Sequence, residues 1–368
     1  MNILVCFGTR PEAIKMAPIC NEFKKNKIPF KLCVTAQHRE MLDQVLYFFE
    51  LEPDYDLNLM QPNQNLNELS SRIIKDVDTV FNSKKFDLIL VHGDTTTSAM
   101  VALAAFHKGI KVGHIEAGLR TYNKCSPFPE ELNRQLTGRI ADFHFVPTEK
   151  AMNNLLKEGI NKQNIIYTGN TVVDALLYTI EKLKKGFSNS RIENLKAKLN
   201  FDKNIILVTG HRRESFGEGF ANLCDALLKI SEKDDVEIVY PVHLNPNVQK
   251  TVYYQLSEVR NIHLIQPLDY ASFVWLMSRS SLIISDSGGV QEEAPSLKIP
   301  VIVTRNETER KEGMNSGFSF LTGTNSNKII ETTLNLLHGK FDFTNKENPY
   351  GDGKASIKIV NFIQNNFN

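Results

Sequence analysis

Short apolar runs alternate with longer amphipathic stretches along nearly the whole chain. In the first half the runs fall at 3–7, 31–35, 86–91, 110–115, 142–146 and 165–167. Between them apolar residues recur at helical spacing, as in 95–107, where Ala99, Leu103 and Phe106 stand three and four positions apart. Runs without polar alternation suit strands buried on both faces, the condition of a parallel sheet. The spacing therefore predicts right-handed βαβ units, each helix crossing back over the sheet. A Gly169-Asn170-Thr171 turn opens a helix reaching about Lys185, and a linker is expected within 168–204, where 186–204 is polar. A second strand series follows at 205–209, 236–240, 262–265, 281–285 and 300–303, and 352–366 reads as a terminal helix. The fold class expected is α/β, with two Rossmann-like domains, 1–168 and 169–351, a cleft between them, and a terminal helix in 352–368. Functional residues then belong just after strands, on loops facing that cleft.

Length supports the division, since 368 residues exceed one ordinary core. Lys and Arg total 43 against 42 Asp and Glu, a net charge of +1, which excludes a strongly basic nucleic-acid binder. The 5 cysteines are odd in number and widely spaced, with no Cys-x-x-Cys pair, which points to a reducing compartment. The first apolar run has no basic segment before it, and no run is long enough to span a bilayer. The expectation is a soluble cytoplasmic protein with no nucleic-acid or membrane partner. The 9 histidines lack metal-ligand spacing, so no metal and no cofactor are expected.

The strand ends carry the candidate chemistry. Gly8-Thr9-Arg10-Pro11 follows the first run, with Lys15 one turn further on. Proline suits the first turn of a helix, and Arg10 and Lys15 add charge where free N–H groups already favour an anion. A plain turn with solvated charges would read the same way. Asp94 and Glu116 end two successive runs, and Glu130 follows soon after in Pro127-Phe128-Pro129-Glu130. Asp94 also suits a helix N-cap. Crowded carboxylates, however, can be driven apart in pKa to give an acid and a base. In the second half, Gly210-His211-Arg212-Arg213 suits a diphosphate, though a surface-charged loop remains the alternative. Ser285-Asp286-Ser287-Gly288-Gly289 joins a strand to a helix, letting backbone N–H groups approach phosphate oxygens. Glu292, one turn on, can accept from ribose hydroxyls.

Segments 8–18 (GTRPEAIKMAP), 91–97 (VHGDTTT), 113–121 (GHIEAGLRT), 127–134 (PFPEELNR), 168–176 (TGNTVVDAL), 208–217 (VTGHRRESFG), 285–297 (SDSGGVQEEAPSL) and 348–356 (NPYGDGKAS) resemble the non-hydrolysing UDP-N-acetylglucosamine 2-epimerases. The order is that of the family along the whole chain. The resemblance implies the two-domain fold of B-type glycosyltransferases, a terminal helix returning to the N-terminal domain, and a homodimer. It implies that Arg10, His211, Ser287, Gly288, Gly289 and Glu292 hold UDP, and that Asp94, Glu116, Glu130 and His211 serve the chemistry. Lys15, Arg212 and Arg310 join the substrate-binding set. Bacterial members are activated by a second UDP-N-acetylglucosamine, for which Gln37, His38, Arg72 and Arg134 are the candidates. One departure stands out: members read Arg-Asp-Thr-Thr-Glu-Arg-Pro-Glu where this chain has Arg305-Asn306-Glu307-Thr308-Glu309-Arg310-Lys311-Glu312. Hydrolysing relatives carry Gly-Asp-Arg in place of Gly93-Asp94-Thr95, which argues against release of the free sugar.

The expected reaction inverts carbon 2 of UDP-N-acetylglucosamine to give UDP-N-acetylmannosamine, by elimination of UDP to 2-acetamidoglucal and re-addition. Another UDP-2-acetamido sugar would use the same UDP residues. A glycosyltransferase would share the fold without needing the three acids together, and a non-catalytic nucleotide-sugar sensor would be expected to lose one of them.

Overall fold

Strand β1, Ile3–Phe7, is buried at every position, as a run with no polar alternation requires. In the computed structural model, which describes residues 1–35, 39–61, 64–210, 217–339 and 342–367, it is a central strand of a parallel sheet. The other strands of that sheet are β2 (Phe30–Val34), β3 (Tyr55–Asp56), β4 (Leu88–His92), β5 (Lys111–Ile115), β6 (Phe143–Val146) and β7 (Ile165–Tyr167). Their order is β3-β2-β1-β4-β5-β6-β7, so the winding reverses between β1 and β4. Leu4 and Cys6 of β1 and Ile89 and Val91 of β4 face one core with Ile73, Val77 and Phe81 of helix Leu66–Ser83. Alternate residues of a strand share a face, which is why these pairs are two apart.

The second sheet is also parallel, ordered β10-β9-β8-β11-β12-β13. Its strands are β8 (Asn204–Thr209), β9 (Val236–Pro241), β10 (Ile262–Ile265), β11 (Leu282–Ser285), β12 (Val301–Val303) and β13 (Ser319–Leu321). Ile206, Val208, Ile238, Tyr240 and Ile284 build its core with Phe220 and Leu227 of helix Glu218–Ser231. Here the reversal falls between β8 and β11. The fold is thus two Rossmann-like α/β domains, each with parallel strands only.

The chain forms two compact units, one of Met1–Tyr178 with Tyr350–Asn368 and one of Thr179–Pro349. In the first, helix Ala355–Phe367 packs on helix Arg10–Lys25, and its Phe362 meets Phe143 and Phe145 edge-on. Asp174 caps that terminal helix, accepting from Ser356 N at 2.8 Å and from Ala355 N at 3.2 Å. The polar stretch 186–204 is not merely a linker. Helix Ser190–Lys198 lies within it, held by buried Ile192 and Leu195, a one-turn apolar pair too small to stand out in the sequence. β3 and β13, of 2 and 3 residues, escape the periodicity for the same reason. No helix of the described residues is long and apolar enough to cross a membrane.

Candidate active site

In an open parallel sheet, ligands bind beyond the carboxyl ends of the strands, where the winding reverses. In the first unit that place lies beyond β1 and β4. Gly8, directly after β1, has no room for a side chain: a Cβ would stand 2.2 Å from Thr35 Oγ1 and 2.6 Å from Thr97 Oγ1. Thr9 then caps helix Arg10–Lys25 in a capping box with Glu12. The buried Glu12 carboxylate accepts from Gly8 N at 3.0 Å, Thr9 N at 2.8 Å and Thr95 Oγ1 at 2.7 Å, tying the β1 loop to the β4 loop. Burial pushes its carboxyl above the ordinary value, against those hydrogen bonds, and pushes the Arg10 guanidinium down. Arg10 is half-buried at the first turn of the helix.

Glu116 follows β5 with a φ of +60°, a left-handed conformation that costs a non-glycine residue on the order of 1 kcal/mol or more. Its carboxylate forms an ion pair with Lys15. The side chains are 10% and 7% exposed, so the pair lies out of water and neither charge can be removed cheaply. Asn170 Nδ2 donates to Glu116 Oε2 at 2.7 Å, and His92 Nε2 stands 3.8 Å from the same oxygen. Burial lowers His92 to about 4, so it is neutral near pH 7 and Lys15 supplies the compensating charge. His114 is lowered to about 3, also chiefly by burial. Its Nε2 bonds the carbonyl of Gly93 at 2.7 Å, and with Gly93 at φ +64° this fixes the turn leading to Asp94.

Asp94 is ion-paired with the buried Arg134, and Asn133 Nδ2 donates to the Asp94 carbonyl at 3.0 Å. Both partners come from helix Glu130–Ile140. The helix is anchored by Glu131, fully buried, which accepts from Thr121 N at 2.9 Å and Tyr122 N at 3.0 Å. Its neighbour Glu130 opens the helix and is half-buried. The first unit therefore gathers Lys15 with Glu116, and Asp94 with Arg134, around loops that Glu12 and His114 hold. Arg72, on helix Leu66–Ser83, hydrogen-bonds Gln61 instead. Gln37, His38, His211 and Arg212 lie outside the described residues.

In the second unit the corresponding reversal joins β8 to β11. Thr209 and Ser285, at their ends, share a hydrogen bond of 2.7 Å, and Ser285 Oγ accepts from Ser287 N at 2.9 Å. Helix Gly288–Glu293 follows, so Gly288 and Gly289 form its first turn. Glu292 is buried and accepts from Arg310 Nε at 3.1 Å. A Cβ on Gly288 would come within 2.7 Å of Arg310 Cζ, so glycine here admits the guanidinium. Arg310 also pairs with Glu309, which takes a 2.9 Å bond from Arg305, while Thr308 donates to Gln291 at 2.9 Å. The loop's departures from the family pattern, Asn306, Glu307 and Lys311, are all exposed. Its network is therefore built from the positions that match.

Sequence reading assigned no role to Glu12, His92, His114, Asn133 or Asn170. Each is a buried polar residue beside a singled-out carboxylate or glycine, and each lies in one of the segments that carry the family resemblance, 8–18, 91–97, 113–121, 127–134 and 168–176.

A family model described as UDP-N-acetylglucosamine 2-epimerase matches residues 21–364. A UDP-N-acetylglucosamine 2-epimerase of Campylobacter jejuni is 51% identical over 98% of this chain and 97% of its own length. That of Escherichia coli K12 is 50% identical over 100% and 99%. The crystal structure of the Neisseria meningitidis enzyme bound to UDP-GlcNAc superposes with a TM-score of 0.93 at 50% identity, covering 100% of both chains. The Methanocaldococcus jannaschii enzyme, in complex with UDP-GlcNAc and UDP, gives 0.85 at 33% identity over 99% of this chain and 100% of its own.

Proposed function

The chain belongs to the UDP-N-acetylglucosamine 2-epimerase family and is an isomerase, and from this premise we propose that it interconverts UDP-N-acetylglucosamine and UDP-N-acetylmannosamine by anti elimination and re-addition of UDP. The proton on carbon 2 is not adjacent to a carbonyl, so a carboxylate cannot remove it from the intact sugar. Departure of UDP with the C1–O electron pair places positive charge at carbon 1 and acidifies that proton. A carboxylate takes the proton, and the C–H electrons form the C1=C2 bond of 2-acetamidoglucal. Return delivers a proton to the opposite face of carbon 2 while a UDP oxygen bonds carbon 1. Atoms and charge balance without metal or redox cofactor.

Two positioned acid/base groups are needed, one for each face. Asp94, Glu116 and Glu130 are assigned to this work, with His211. The observation that carries the assignment is the buried Glu116, held by Lys15 and Asn170 at a strained strand end, with Asp94 after the adjacent strand β4. Lys15, assigned to substrate binding, also pairs with Glu116. Arg10, Arg212, Ser287, Gly288, Gly289, Glu292 and Arg310 are assigned to UDP, whose departing charge the cations and backbone N–H groups stabilise. A homodimer, and activation by a second UDP-N-acetylglucosamine, complete the reading.

The test is epimerisation of UDP-N-acetylglucosamine in deuterated water, followed by NMR. Deuterium at carbon 2 of the product is expected, and epimerisation without label would sink the elimination route.

A further inference from the structure

Segment 168–170 and the return of the chain at Tyr350 and Gly351 are assigned no role of their own above, yet they meet, and Asn170 reaches Glu116. Asn170 is 2% exposed and all its polar groups are bonded. Its Nδ2 donates to Glu116 Oε2 at 2.7 Å, and its Oδ1 accepts from Val172 N at 3.0 Å. Its backbone N donates to Tyr350 O at 2.7 Å, and its carbonyl accepts from Val173 N at 3.1 Å. The two backbones approach closely because both neighbours are glycine. A Cβ on Gly169, at φ +88°, would stand 3.2 Å from Gly351 Cα. Tyr350 is buried against Val172 and Val173, at the point where the chain re-enters the first unit.

We infer that Asn170 is a positioning residue for the reaction, its amide orienting the Glu116 carboxylate and its backbone locking that amide to the chain return at Tyr350. Lys15 and Asn170 both bond Oε2 and so orient the carboxylate. Lys15 alone is a cation on a flexible stem, able to follow the carboxylate through a range of positions. The Asn170 amide is held at its acceptor end by the turn to Val172, so its donor end has one direction to point. The inference rests on the role of Glu116 proposed above.

The decisive variant is Asn170→Asp, which keeps the acceptor for Val172 N and the backbone bond to Tyr350 but sets a second carboxylate against Glu116. Lys15 from helix Arg10–Lys25 and His92 from β4 also face Glu116. Two carboxylates this close bind one proton more tightly than either would alone. At about pH 8, kcat for UDP-N-acetylglucosamine is expected to fall on the order of a hundredfold with KM changed less than about threefold, the scale of a misplaced catalytic group. Toward about pH 6 the pair takes up a proton, the introduced carboxyl becomes a donor to Glu116, and activity relative to wild type recovers. Unchanged kcat, or a loss that does not vary with pH, would overturn the inference. If Asn170→Asp does not melt like wild type, the cycle of Asn170→Ala with Glu116→Gln decides. Asn170→Ala should cost nothing further in kcat once Glu116 is Gln, and additive losses would overturn the inference. Full turnover in Glu116→Gln alone would instead remove Glu116 from the chemistry, and with it the reading on which the inference stands.

Discussion

Arg134 is ion-paired with Asp94, so a residue expected to serve an activator is bonded to an acid expected to serve the chemistry. The Arg134 side chain is 8% exposed and that of Asp94 28%, which makes the arginine the buried member. An arginine so placed aims the carboxylate through a charge-assisted hydrogen bond. Asp94→Asn is expected to lower turnover on the order of a hundredfold or more, the usual weight of a general acid or base. Steady-state kinetics on UDP-N-acetylglucosamine checks this, and a near wild-type rate would remove Asp94 from the mechanism. Arg134→Met should lower kcat through Asp94 even at saturating substrate.

Lys15 and Glu116 form the more deeply buried pair. Lys15→Met leaves a buried carboxylate without its cation, a change that typically costs about 3–5 kcal/mol. Its apparent Tm should fall well below wild type. Adding Glu116→Gln removes the stranded charge, and the double variant should regain much of the loss. If the double variant melts no higher than Lys15→Met, the lysine is not there to balance Glu116.

Three buried histidines predict a pH signature of stability. Burial lowers His92 and His144 to about 4 and His114 to about 3, below the ordinary imidazole value of 6.5. The unfolded chain therefore binds more protons than the folded one below about pH 6.5, and stability falls as pH falls through that point toward about 3–4. Glu12 and Asp174 are raised by burial and act with the opposite sign, but only at and above the carboxylate range. The Tm should drop between about pH 7 and 5.5, where most carboxylates do not yet titrate. A flat Tm across that window would mean that the histidines are not buried neutral.

Gly288→Ala tests the second unit. Its methyl would collide with the Arg310 guanidinium, which is held by Glu292 and Glu309 and cannot swing away without breaking those pairs. The displaced arginine should weaken UDP binding on the order of tenfold, roughly 1.4 kcal/mol. Isothermal titration with UDP reads this directly, and unchanged affinity would take Gly288 and Arg310 out of the UDP site.

Most of the fold was legible because two-sided burial writes itself into sequence. β1 and β4 are buried at all positions and read as unbroken apolar runs. Pro11 likewise announces the first helix. What escaped was short or locally ordinary. Two- and three-residue strands have no period, and Ser190–Lys198 offers only Ile192 and Leu195 to bury. Asp94 and Glu116 were legible as site candidates because they stand together after adjacent strands, and Glu292 because it lies one turn into the helix that follows the Ser-Gly-Gly turn.

Sequence by itself determined the α/β architecture, the two parallel sheets and the carboxylates at their strand ends, since all three follow from local pattern and position. Tertiary structure decided which charge answers which. Lys15 and Glu116 are 101 positions apart, and Asp94 and Arg134 are 40 apart. Asn170 reaches Glu116 from 54 positions away. Such pairings depend on strand order and on the direction of a few side chains, and no local period encodes them. The partners that hold a buried charge are chosen by the packing of the sheet, and so they appear only once the chain is folded.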